Sequence, residues 1–269
     1  MKTVLLYANE DSGLESRLQA ALDVVRAFDA HLSCVQVTPF DAFIMGDPFG
    51  GVYALPTLLE AVRTAEDAHR ARLEERLRSE GVSWDWFRYD GSPAQVVADR
   101  SRLSDLIVLS LPEAGGAHDG PLSMVGDVAL HARAPVLAVP QSSRSLDCLG
   151  RAAVAWNGSL EAAHALRLTL PMLARASQVH IVEVTEDKAG FPATDASQYL
   201  ARHGIRSELH EWPGSGRSVA DALDDAAQAL GANYVVMGAY GHSRLRESVF
   251  GGTTRDMLHR GDLPLLLAH

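Results

Sequence analysis

Apolar residues recur along the chain in short unbroken runs, each followed by a stretch with helical spacing. Lys2–Ala8 (KTVLLYA), His31–Val37 (HLSCVQV), Asp105–Ser110 (DLIVLS), Val179–Val184 (VHIVEV) and Asn233–Gly238 (NYVVMG) are continuous rather than alternating. Such runs predict strands of a parallel sheet buried on both faces. Between them, Ala94–Arg102, Ser218–Leu230 and the Arg/Glu-rich Leu58–Ser79 read as helices. The pattern restarts at mid-chain. Arg151–Asn157 (RAAVAWN) repeats Lys2–Ala8, and both strands lead through a polar turn into an Ala/Leu-rich helix. Asp127–Val139 lines up with Asp256–Ala268, with Asp127 over Asp256 and Pro135 over Pro264. Alternating strands and helices repeated in two halves predict an α/β protein of two Rossmann-like domains, each with a five-stranded parallel sheet and helices on both faces. The expected boundaries are residues 1–140, a polar linker at 141–150, and 151–269. A single larger sheet would also alternate, but it would not need the second half to restart the first.

Composition narrows the function. The 269 residues carry 34 acidic and 24 basic side chains, a formal net charge of -10. That field does not favour nucleic-acid or anionic-membrane partners. No apolar run approaches the ~20 residues that span a bilayer, and the N-terminus is too soon polar for a signal peptide. A cytoplasmic protein is expected. The two cysteines, Cys34 and Cys148, form no disulfide framework. The eleven histidines fall into no HExxH or paired Cys/His spacing, so no metal site is expected.

The chemistry concentrates near the C-terminus. The strand ending at Met237 runs into Gly238-Ala239-Tyr240-Gly241, and nine residues later Gly251-Gly252-Thr253-Thr254 opens a helix. Ligands of open α/β sheets bind beyond the carboxyl ends of the strands. Glycines there let backbone approach a ligand closely, and a glycine-rich helix start offers N–H groups to phosphate oxygens. Thr253 and Thr254 add hydroxyls, as donors or as magnesium ligands through a phosphate. Arg244, Arg246 and Arg255 add positive charge, and His242 lies inside the loop. A loop that merely turns a corner and caps a helix is the plainer alternative.

The spacing Gly238-x2-Gly241-x9-Gly251 resembles the ATP-binding motif of universal stress proteins. Val154–Asn157 is similar to that family's first strand and Val182–Val184 to the end of its second. The resemblance covers nearly the whole chain as two tandem copies. It implies an adenine nucleotide, ATP with or without Mg2+, bordered by Asn157 and the backbone of Val184. Gly238, Gly241, Gly251, Gly252, Thr253 and Thr254 would hold ribose and phosphates, with His242 and Arg244 beside them. Gly252 departs from the usual Ser or Thr, which moves the hydroxyl to Thr253, and Asn157 replaces a frequent acidic residue. The resemblance also implies that the last strands, Pro135–Val139 and Leu263–Ala268, line the interface of a tandem pseudo-dimer, with a further homodimer left open.

The first half lacks the loop. Ser110 stands over Gly238, Glu113 over Gly241, and Leu122-Ser123 over Gly251-Gly252. Side chains in place of backbone-exposing glycines predict that this half does not hold ATP in the family manner. The expected function is nucleotide binding in a regulatory stress response, with no catalytic residue, because no general base or water-positioning group is evident. Two alternatives stand: slow ATP hydrolysis or phosphoryl transfer, and a nucleotide-independent scaffold. The scaffold would bind a partner or apolar ligand through Pro39–Pro56, which carries Phe40, Phe43, Phe49 and Tyr53.

Overall fold

In the computed structural model, residues 1–39, 55–112, 123–185, 190–214, 216–241, 252–260 and 262–269 are described. The first half carries β1 (Thr3–Tyr7), α1 (Leu14–Phe28), β2 (His31–Thr38), α2 (Leu55–Ser79), β3 (Ser83–Asp90), α3 (Pro93–Arg100), β4 (Leu106–Ser110), α4 (Met124–His131) and β5 (Val136–Val139). The second carries β6 (Arg151–Ala155), α5 (Leu160–Leu168), a short α6 (Leu170–Leu173), β7 (Gln178–Val184), α7 (Ala193–Arg202), β8 (Glu208–Trp212), α8 (Val219–Leu230), β9 (Tyr234–Gly238), α9 (Gly252–Arg260) and β10 (Leu265–Ala268).

The strands form one ten-stranded sheet in the order β3-β2-β1-β4-β5-β10-β9-β6-β7-β8. Within each half all pairings are parallel; at the seam β5 and β10 pair antiparallel, Leu266 opposite Leu137. The expected five-stranded sheets are thus joined edge to edge along their last strands, which relates the halves by an approximate two-fold axis. Each half has the order 3-2-1-4-5, in which the winding reverses beside its first strand, β1 or β6.

Burial explains the apolar runs. One hydrophobic layer combines β-strand residues such as Leu6, Leu137 and Val154 with Leu18 and Leu22 of α1, Leu77 of α2, Leu166 of α5 and Leu200 of α7. The opposite layer packs Ile107, Val136 and Val235 against Val97 of α3, Val128 of α4, Leu223 of α8 and Leu258 of α9. Both layers cross the seam. The expected linker is also fixed: Leu146 and Cys148 are buried, and the Leu146 N–H donates to Asp23 Oδ2 of α1 at 2.8 Å. Cys34 and Cys148 are both free thiols, and burial pushes that of Cys148 up to about 11.

The edge strands β3 and β8 were not among the apolar runs. Their sequences, SWDWFRYD and ELHEW, mix polar with apolar residues, and neither strand holds a fully buried residue, as at the open edges of a sheet. Among the described residues no helix is long and apolar enough to cross a membrane. Residues 40–54, which include most of the aromatic loop, lie outside the described residues, as do Glu113 and Leu122.

Candidate functional site

In the second half a cavity of about 220 Å³ lies beyond the carboxyl ends of β6, β7 and β9, at the reversal of winding. Ala155, Val184, Val219, Leu223 and Met237 give it an apolar wall, while Asn157, Gly238, Gly241, Gly252 and Thr253 form a polar rim. Crevices at such switch points are where open α/β sheets take ligands.

Local structure shows why glycine stands at the rim. A Cβ on Gly238 would come within 2.6 Å of both the Ala162 nitrogen and the Glu161 carbonyl carbon. Only a bare backbone lets the first turn of α5 approach the end of β9 so closely. Two residues on, Tyr240 holds a left-handed conformation with φ 55°, and its N–H donates to the buried Thr254 hydroxyl at 3.3 Å. A bulky residue with positive φ is held there against its preference. The Tyr240 phenol is pushed up to about 12 by burial, with Asp127 of the other half raising it further and Arg255 opposing. Thr254 is therefore spent on the fold, and its neighbour Thr253 is the more accessible hydroxyl. Gly252 differs from Gly238: a Cβ there would meet nothing within 4 Å.

Of the residues singled out from the sequence, Asn157, Val184, Gly238, Gly241, Gly252, Thr253 and Thr254 all line this one cavity. Gly251, His242 and Arg244 lie outside the described residues. One lining residue had no place in the expectation. Glu161, in the first turn of α5, turns its carboxylate toward the glycines; its Oε2 is buried without a hydrogen-bond partner, and a Cβ on Gly241 would lie 3.2 Å from it.

Among the described residues, the corresponding strand ends of the first half are bonded by side chains of that half. Sheet register fixes the correspondence: Val4 pairs with Leu106 as Ala152 pairs with Tyr234. Asn157 therefore matches Asn9 and not Ala8, one residue later than the sequence alignment of the repeats placed it. Asn9 grips the end of β2, its Nδ2 donating to the Val37 carbonyl at 2.6 Å and its Oδ1 accepting from the Val37 N–H at 2.8 Å. Val37 occupies the place that Val184 holds in the second half, where Asn157 Oδ1 instead accepts from the Ser159 N–H at 3.1 Å.

A buried arginine lies beside these strand ends. Arg17 of α1 is 1% exposed. Its guanidinium donates to the carbonyls of Tyr7 (2.7 Å) and Asn9 (2.5 Å), to Asp11 Oδ1 (2.5 Å) and to Ser110 Oγ (3.1 Å). The Ser110 hydroxyl in turn donates to the Gly13 carbonyl at 2.9 Å. A buried cation thus makes four hydrogen bonds at the ends of β1 and β4. The signal was legible in principle, since Arg17 falls on the apolar stripe of Leu14, Leu18, Ala21 and Val25.

No protein-family model matches the chain, and no curated protein matches it. Solved structures do. Over 99% of its length the chain is similar to a universal stress protein from Archaeoglobus fulgidus, covering 95% of that chain with a TM-score of 0.75 at 18% identity. The fold is that of the universal stress proteins. A putative universal stress protein from Pseudomonas aeruginosa matches over 99% of this chain and 92% of its own, with a TM-score of 0.59 at 18% identity. The universal stress protein fold therefore extends across both halves.

Proposed function

We propose that the chain is a tandem universal stress protein, with units at 1–140 and 151–269 joined by 141–150, whose second unit binds ATP. One observation carries this reading. An apolar cavity with a glycine and threonine rim lies at the carboxyl ends of parallel strands where the winding reverses. Val184, Val219 and Leu223 suit the faces of a purine, and Asn157 with the end of β7 suits its polar edge. The bare backbone at Gly238, Gly241 and Gly252, the last at the start of α9, suits ribose and phosphates.

Glu161 bears on the form of the nucleotide. A carboxylate oxygen beside Gly241 would repel a bare triphosphate. A divalent cation removes that conflict, since Mg2+ takes oxygen ligands and binds through one or two carboxylates together with phosphates. Glu161 and the Thr253 hydroxyl are the side chains that would serve it; bound there, Mg2+ would neutralise phosphate charge. The ligand on this reading is magnesium-ATP, held in a regulatory stress-response role rather than turned over.

Calorimetric titration of magnesium-ATP into the full chain tests this. One site per chain is expected, abolished by Gly252→Glu with the unfolding midpoint unchanged, because a side chain at 252 has open space. Equal binding by the variant, or none by the wild type, would refute the assignment.

A further inference from the structure

A second constellation lies away from that cavity, on the outer two strands of the second half. Val179–Val184 is an apolar run interrupted by His180, and the polar edge strand Glu208–Trp212 carries His210 at its centre. Parallel pairing sets His180 opposite Glu208 and Val182 opposite His210. With a side-chain period of two, all three groups project from the face that α8 covers. His180 is buried, His210 is partly buried, and the Glu208 side chain is 67% exposed.

Three ligand atoms converge there. His180 Nδ1 lies 3.1 Å from His210 Nε2 and 3.5 Å from Glu208 Oε2, and His210 Nε2 lies 3.7 Å from the same oxygen. A tetrahedral Zn2+ with ligands at ~2.0–2.1 Å sets its donors about 3.3–3.4 Å apart. The observed triangle brackets that spacing without any change of rotamer. We propose that His180, Glu208 and His210 form a binding site for a divalent transition-metal ion, Zn2+ by donor set and geometry.

Two imidazole nitrogens and one carboxylate oxygen are ligands for zinc rather than for the hard cations Mg2+ or Ca2+, which take oxygen. Three protein ligands leave a fourth position, which the exposed side of Glu208 opens to water. The His180 Nε2 has no hydrogen-bond partner, so the outer support that strengthens most zinc-histidine sites is missing. The site is thus suited to reversible binding and release. His180 and Val184 are four residues apart on β7, about 13 Å at ~3.3 Å per residue, so the ion would not touch the nucleotide cavity. It would instead clip the edge strand β8 to β7.

Cobalt(II) is the probe, because tetrahedral coordination gives it strong visible absorption. The full chain, stripped with a chelator and free of nucleotide, is titrated with Co2+ and then with Zn2+. One equivalent should produce the tetrahedral bands, Zn2+ should displace them, and Zn2+ should raise the thermal midpoint in a concentration-dependent way. Glu208→Gln should weaken binding tenfold or more and His210→Asn should abolish it, both with the wild-type midpoint in chelator. No tetrahedral band, or binding by both variants equal to wild type, would overturn the site in favour of a simple His180–His210 hydrogen bond.

Discussion

The two halves share one topology and differ in what fills the crevice beside their first strand. In the first half, Arg17 donates to two carbonyls, a carboxylate and the Ser110 hydroxyl, while Asn9 satisfies both backbone groups of Val37. In the second, the same region is an open cavity rimmed by glycines and Thr253. Asn157, the counterpart of Asn9, accepts from the Ser159 N–H through its Oδ1. Polar groups at strand ends need partners. The first half meets that need at Asn9, Val37 and Ser110 with its own side chains, and on the proposed reading the cavity of the second half takes a nucleotide.

Removing the internal plug should have the largest effect. Arg17→Met strands two carbonyls and Asp11, and a loss of about 3 kcal/mol is expected in denaturant unfolding. An unchanged midpoint would show that the first crevice is not held by its arginine. Gly238→Ser gives the second half the residue of the first. Its Cβ would press on the α5 backbone, so about 2 kcal/mol of stability should be lost, together with at least tenfold in magnesium-ATP affinity. Retained affinity would mean that this close approach does not shape the cavity.

The asparagines sharpen the contrast. Asn9→Ala should cost about 2 kcal/mol in unfolding and leave ATP affinity alone. Asn157→Ala should do the reverse, weakening ATP several-fold with a smaller loss of stability. Matching effects in both assays would erase the distinction between the halves. Glu161→Gln should narrow the gap between ATP affinities with and without magnesium; an unaltered gap would remove Glu161 from the phosphate end.

The smallest contrast is in the caps. Ser218 and Asp221 form a reciprocal capping box on α8, whereas Ser92 makes no side-chain cap on α3. Ser218→Ala should cost about 1 kcal/mol and Ser92→Ala almost nothing. Hydrogen bonds from Ser218, and then the Arg260 guanidinium, hold Asp221 down at about 2. Its contribution to stability is present above the ordinary aspartate value and is lost as the pH falls toward 2. The difference between wild type and Ser218→Ala should therefore shrink in acid.

Continuous apolar runs made the inner strands and the duplication legible, because β1, β4, β6 and β9 are buried on both faces. Edge strands β3 and β8 lack that signature, having a neighbour on one side only. Gly238, Gly241 and Gly252 were legible as a motif, since glycine at a strand end or helix start has few other uses. Glu161 was not, because an acidic residue in a first helical turn already has a reason to be there. Arg17 was hidden for a similar reason: arginine in a helix reads as solvated until its partners, up to 93 residues away at Ser110, are brought together. His180 and His210 read as scattered because only the register of two parallel strands makes them neighbours.

Hydrogen-exchange mass spectrometry with and without magnesium-ATP would test the open and closed crevices side by side in one molecule. Protection should appear at the ends of β6, β7 and β9 and at the start of α9, with none at Asn9, Val37 or Ser110. Protection at the first-half crevice, or at neither, would contradict the contrast between a self-filled half and a ligand-binding one.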